Sequence, residues 1–132
     1  MSLIGKVISA GAVAAAAIAT NAQAQDAPPP KNQCFFITDF RSWKAPDPKT
    51  IYISTNTGRY YRLDLSGACP ALMWPDSHLI THWRGDDTVC SAVDWDLKVG
   101  QGMNSIPEPC IVKTMTQLSK DEAAAIPKKY KP

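Results

Sequence analysis

Four cysteines, Cys34, Cys69, Cys90 and Cys110, are spread along this 132-residue chain at gaps of 35, 21 and 20 residues. Such gaps contain no C-x-x-C pair of the kind that seeds a structural zinc site or a redox centre. An even number of widely spaced cysteines in a short chain reads instead as two disulfides, which persist in an oxidising compartment and reinforce a domain whose core is small. Any fold for this chain must therefore bring distant positions together in two pairs.

The N-terminal segment points to the same compartment. Met1 to Lys6 is a short basic start, Val7 to Thr20 an Ala-rich apolar run, and Ala22-Gln23-Ala24 supplies the small residues read by a signal peptidase. This is the tripartite pattern of a secretory signal peptide, with cleavage after Ala24. The apolar run is shorter than the ~20 residues that span a bilayer. No cysteine precedes position 34, so there is no lipobox. The expected product is a periplasmic or secreted protein without a stable membrane anchor. Formal net charge is only +2, which removes the electrostatic argument for nucleic acid.

Residues 25–33, with Pro28-Pro29-Pro30, read as an extended tether with nothing to bury. Residues 34–118 read as the folded domain. Cys34 to Ile37 is a short strand candidate, followed by a connection through Trp43 to the turn-rich Pro46-Asp47-Pro48-Lys49. Ile51 and Ile53, then Tyr61, Leu63 and Leu65, alternate with polar neighbours around Asn56-Thr57-Gly58. A three-residue loop pairs Ile53 with Tyr61 and Ile51 with Leu63, apolar against apolar, and needs Gly58 in the left-handed conformation. Cys69 to Ser77 is irregular, His78 to Trp83 a strand, and Val93, Trp95, Leu97 and Val99 the inward set of another. Cys110 to Thr116 is the last strand. Residues 119–132 hold a capping box, Ser119 with Glu122, a short helix ended by Pro127, and a basic tail read as a solvated terminus.

The expectation is an all-β protein: a small antiparallel meander curling into a roll or barrel, with a short C-terminal helix and two disulfides. In an up-and-down meander, Cys34 and Cys90 fall at one end and Cys69 and Cys110 at the other, which favours pairing Cys34 with Cys90 and Cys69 with Cys110.

Each candidate site has a plain alternative. His78 and His82 would share a face on a helix, but on a strand they lie about 13 Å apart at ~3.3 Å per residue, too far for one metal. Asp86, Asp87, Asp94 and Asp96 lack the pattern of a calcium loop, and no nucleophile or oxyanion donor accompanies them. Arg84-Gly85-Asp86 reads as a turn. No nucleophile elbow, phosphate loop, dinucleotide motif or zinc-protease motif occurs. The expectation is thus no enzyme, no cofactor and no metal. Trp43, Trp74 and Trp83, with Tyr60, Arg59 and Arg62, form the candidate binding surface, because exposed aromatic rings stack on sugars or anchor protein partners. The alternative is that the tryptophans close a small core.

Cys34-Phe35-Phe36, Gly58-Arg59-Tyr60-Tyr61-Arg62-Leu63, Gly67-Ala68-Cys69-Pro70, Cys90 and Cys110-Ile111-Val112 together resemble a family of small exported bacterial proteins, the domain-of-unknown-function family 6491. The likeness covers about Cys34 to Leu118. Some members of the family look like lipoproteins, and this chain departs from them in lacking a lipid-attachment cysteine. The resemblance implies export and a disulfide-bearing β fold, and it brings no catalytic residues. The functional expectation is a non-catalytic envelope or extracellular binding module whose partner is a protein or a cell-envelope polymer. The alternatives are an inhibitor of an exported hydrolase, presenting the loop from Cys69 to Ser77, and a metal-dependent hydrolase using His78, His82 and nearby aspartates.

Overall fold

The computed structural model describes residues 33–132. The apolar N-terminal run, the Ala22-Gln23-Ala24 motif and Pro28-Pro29-Pro30 lie outside the described residues. The strands are β1 (Phe35–Phe36), β2 (Phe40–Asp47), β3 (Thr50–Thr55), β4 (Tyr60–Leu65), β5 (Ser77–Trp83), β6 (Thr88–Val89), β7 (Trp95–Gln101), β8 (Glu108–Pro109) and β9 (Val112–Gln117), followed by helix α1 (Lys120–Ala125). The fold is all-β.

The strands do not form one meander and do not close into a barrel. A four-stranded antiparallel sheet has the order β2-β3-β4-β9, a three-stranded one β5-β7-β8, and β1 pairs with β6 in a small ladder. The chain leaves the first sheet after β4 because Pro70 opens a 3₁₀ turn over Pro70–Met73 and Pro75 follows two residues after that turn; proline cannot donate to a ladder. The edge of β4 left open is taken by β9, with Leu63 opposite Met115.

The β3–β4 hairpin has the register that apolar matching requires, Ile51 opposite Leu63 and Ile53 opposite Tyr61. The backbone nitrogen of Thr55 donates to the carbonyl of Arg59 across the three-residue loop, and Gly58 has φ +78°.

The segments holding Trp43 and Val93 differ from the sequence reading. The connection through Trp43 is strand β2, in which Trp43 lies opposite Ile53; register shifts between Phe40 and Ser42 and between Lys44 and Asp47 break the alternation that would reveal it. Val93 is not in a strand. Ala92–Asp94 is a 3₁₀ turn, because the Asp94 carboxylate accepts the backbone N–H groups of Cys90 and Ser91 at 2.9 Å each. Such a local side-chain bond competes with ladder pairing, so Val93 is left 74% exposed and Asp94 caps a turn instead of lining a strand face.

Both sheets contribute to one core. Ile51, Ile53 and Leu63 from the first sheet meet Leu97 and Val99 from the second. Phe35, 1% exposed, joins them: its ring centroid is 5.0 Å from Tyr61, 6.4 Å from Trp95 and 6.5 Å from Trp83. Gln33 is buried too, contrary to the expectation that residues 25–33 have nothing to bury. Its side-chain amide donates to the carbonyls of Met115 at 2.6 Å and Cys90 at 3.2 Å.

Disulfides join Cys34 to Cys90 and Cys69 to Cys110, with Cα separations of 4.0 and 5.9 Å. These are the pairs that parity favours, although the topology between them is not a simple meander. Two disulfides are consistent with an oxidising compartment.

The C-terminal segment is not simply a solvated terminus. Ser119 caps α1 reciprocally with Glu122. Ala123 and Ile126 are buried, and the Lys131 ammonium lies 5.4 Å from the centroid of the Tyr60 ring. The segment thus crosses the outer face of the first sheet, where Tyr52 and Arg62 line a cleft with Glu122 and Ile126.

Candidate functional site

The six side chains of the expected binding surface do not converge. Trp43 and Trp83 pack partly buried against the core, the Trp83 ring standing edge-on 4.7 Å from Trp95. Arg59 donates through Nη1 to the Cys34 carbonyl at 3.0 Å and through Nε to Thr57 Oγ1 at 3.2 Å; it holds the hairpin loop against the first disulfide. Tyr60 lies under Lys131, and Arg62 pairs with Asp64 at 2.9 Å on the outer face. Of the six, Trp74 alone sits at an apolar, solvent-facing end of the molecule.

That end is assembled from two loops of the three-stranded sheet. The first runs from the 3₁₀ turn through Trp74, Pro75 and Asp76 into β5; the second joins β7 to β8. Pro75 fixes one turn position, and Asp76 occupies the left-handed region at φ +60°, which Asp tolerates better than most residues. The Gly102 N–H donates to the Asp76 carbonyl, and Ser77 lies opposite Gln101, so the loops rise side by side. Cys69 opens the first and Cys110 closes the second, and their disulfide braces both bases.

Four large apolar side chains stand on these loops: Met73, Trp74, Met103 and Ile106. Met103 is 99% and Ile106 93% exposed. Isolated exposed hydrophobics need no explanation, but several together mark a contact surface. Sequence reasoning selected Trp74 and missed the other three. A signal was present, since no charged residue occurs from Ser66 to Pro75 or from Val99 to Pro107, a long run for two surface loops.

The polar candidates are dispersed. His78 and His82 are exposed on one face of β5, opposite Gly100 and Asp96. Among the described residues no group of three or more His, Cys, Asp or Glu is placed to hold a metal ion. Asp94 is engaged in its turn. Asp87 gives its backbone carbonyl to the Ile37 N–H. A cleft of about 360 Å³ runs beside β7, floored by Trp95 and Leu97 and edged by Val93, Ile111, Arg84 and Asp96.

Tyr61 has a perturbed phenol. It is wholly buried, and its hydroxyl has no hydrogen-bond partner among the described residues. Burial pushes its pKa up, the positive charge of Arg59 opposes this, and Asp39 adds to it. The phenol packs in the core that the two sheets share.

Among the described residues no helix is long and apolar enough to cross a membrane. Comparison with curated proteins found no match, and neither did comparison with solved structures. A family model described as a family of unknown function, DUF6491, matches residues 1–131, and the chain belongs to that family.

Proposed function

We propose that this protein is exported and works, without catalysis, as a binding module of the cell envelope or extracellular space, with the apolar end as its contact surface. Export is supported by the N-terminal signal pattern and by two disulfides, which fit an oxidising compartment. The observation that carries the binding reading is the exposure of Met103 and Ile106 on loops braced by the Cys69–Cys110 disulfide, beside Trp74. Loops held rigid before contact lose little conformational entropy on binding, so their apolar area is available to stabilise a complex.

The test is binding of residues 25–132 to isolated cell envelopes of the source organism, wild type against Trp74→Ala. Reduced binding at unchanged melting temperature is expected; equal binding removes the apolar end from consideration. The braced loop from Cys69 to Ser77 also suits an inhibitor of an exported hydrolase, since such inhibitors present a rigid segment. That reading predicts inhibition of a secreted hydrolase that Trp74→Ala relieves, with no envelope binding.

A further inference from the structure

We infer that the apolar end contacts lipid: Met103, Ile106 and Trp74 enter the interfacial zone of a phospholipid bilayer, shallowly and reversibly. This rests on the binding reading above and names its partner.

The shape of the end favours lipid over a folded protein. Protein interfaces set their anchors within a closely packed patch with a polar rim. Met103 and Ile106 instead project from a loop tip, exposed on nearly every side, a form suited to a medium with no shape of its own. Chemistry agrees. The residues between them are Asn104 and Ser105, with Gly102 before and Pro107 after, uncharged groups that the headgroup zone can solvate, whereas charge at depth is costly. Trp74 has the amphipathic ring favoured at that boundary.

The base of the loop is fixed by hydrogen bonds from the Gln101 N–H to Ser105 Oγ at 2.6 Å and from the Gly102 N–H to the Asp76 carbonyl at 3.4 Å. Insertion is therefore confined to the hydrated interfacial zone, where backbone groups at the tip keep water as a partner. The charges nearest the tips along the chain are acidic, Asp76 and Glu108, and neither loop contains Lys or Arg. The basic residues of the C-terminal tail belong to another part of the fold, where Lys131 lies over Tyr60. Contact is therefore driven by burial of apolar area, with little help from anionic lipid.

Residues 25–132 hold every described element and both disulfides. Mixed with vesicles of phosphatidylcholine and phosphatidylethanolamine, this segment is expected to co-float. M103S/I106S is expected to lower the bound fraction about tenfold or more, given the apolar area withdrawn, with unchanged melting. Anionic phosphatidylglycerol, or salt at about 0.5 M, should alter wild-type binding less than about twofold. Absence of flotation, or equal flotation of the variant, overturns the inference. Flotation that needs anionic lipid and disappears in salt also overturns it. So does a dimer, without flotation, that M103S/I106S dissolves, since a second copy is then the occupant. Envelope binding that survives when vesicle binding fails, and is lost in M103S/I106S, sinks the lipid partner alone; if these variants change neither assay, the binding surface falls with it.

Discussion

Replacing Tyr61 by Phe tests the description of the core at a single atom. Tyr61 is 0% exposed, its ring lies 5.0 Å from Phe35, and its hydroxyl has no hydrogen-bond partner among the described residues. Phe keeps the ring and removes only the oxygen. A buried polar group without a partner costs about 1–3 kcal/mol of desolvation, so Tyr61→Phe is expected to stabilise the fold by about 1–2 kcal/mol, or roughly 5–10 °C in melting temperature for a domain of this size. The effect depends on pH with a defined sign. The unfolded phenol ionises near ~10, whereas burial raises the pKa of the folded one. Above that lower value the unfolded state has lost a proton that the folded state retains, so wild-type stability falls as pH rises from about 10. Phe lacks this component, and the gap between variant and wild type should widen between pH 7 and about pH 10.5. Thermal and urea melts at both pH values measure it. Destabilisation by more than about 1 kcal/mol, or a gap that narrows at alkaline pH, would refute the reasoning, because the hydroxyl would then be making a bond that matters.

Three further outcomes follow from the same geometry. Phe35→Ala, which removes the ring shared by Tyr61, Trp83 and Trp95, is expected to cost about 3–5 kcal/mol, whereas Val93→Ala at an exposed turn should stay within about 0.5 kcal/mol in urea melts. Replacing Cys69 and Cys110 together by Ser releases a closure spanning 41 residues and is expected to cost about 4 kcal/mol in the chain-entropy model, with peptide mapping showing Cys34–Cys90 intact. A chelator is expected to leave the melting temperature unchanged; a large drop would revive a metal-dependent enzyme built on His78, His82 and neighbouring aspartates.

The hairpin was readable because two constraints coincide in it, strict alternation on both strands and a loop with glycine where φ must be positive. The helix start was readable for a similar reason, since Ser119 and Glu122 satisfy each other's backbone locally. β2 was not, because register shifts on either side of Ser42, Trp43 and Lys44 leave too short a regular run to show alternation. The capping role of Asp94 is not legible, because a carboxylate immediately before a strand serves equally as a solvated group or as a cap. The candidate surface was legible only through Trp74. Trp43 and Trp83 look the same in sequence, and only the packing of Ile53 and Trp95 from the paired neighbouring strands removes them from the surface. Met103 and Ile106 are ordinary core residue types, and what distinguishes them is their near-complete exposure on the β7–β8 loop.

In the proposed binding module, the apolar end makes the contact. Hydrogen–deuterium exchange of residues 25–132, free and bound to isolated envelopes, tests this directly. Protection concentrated in residues 70–76 and 102–107 is predicted. Protection on the outer face around Tyr52 and Arg62, or none at either loop, would contradict it.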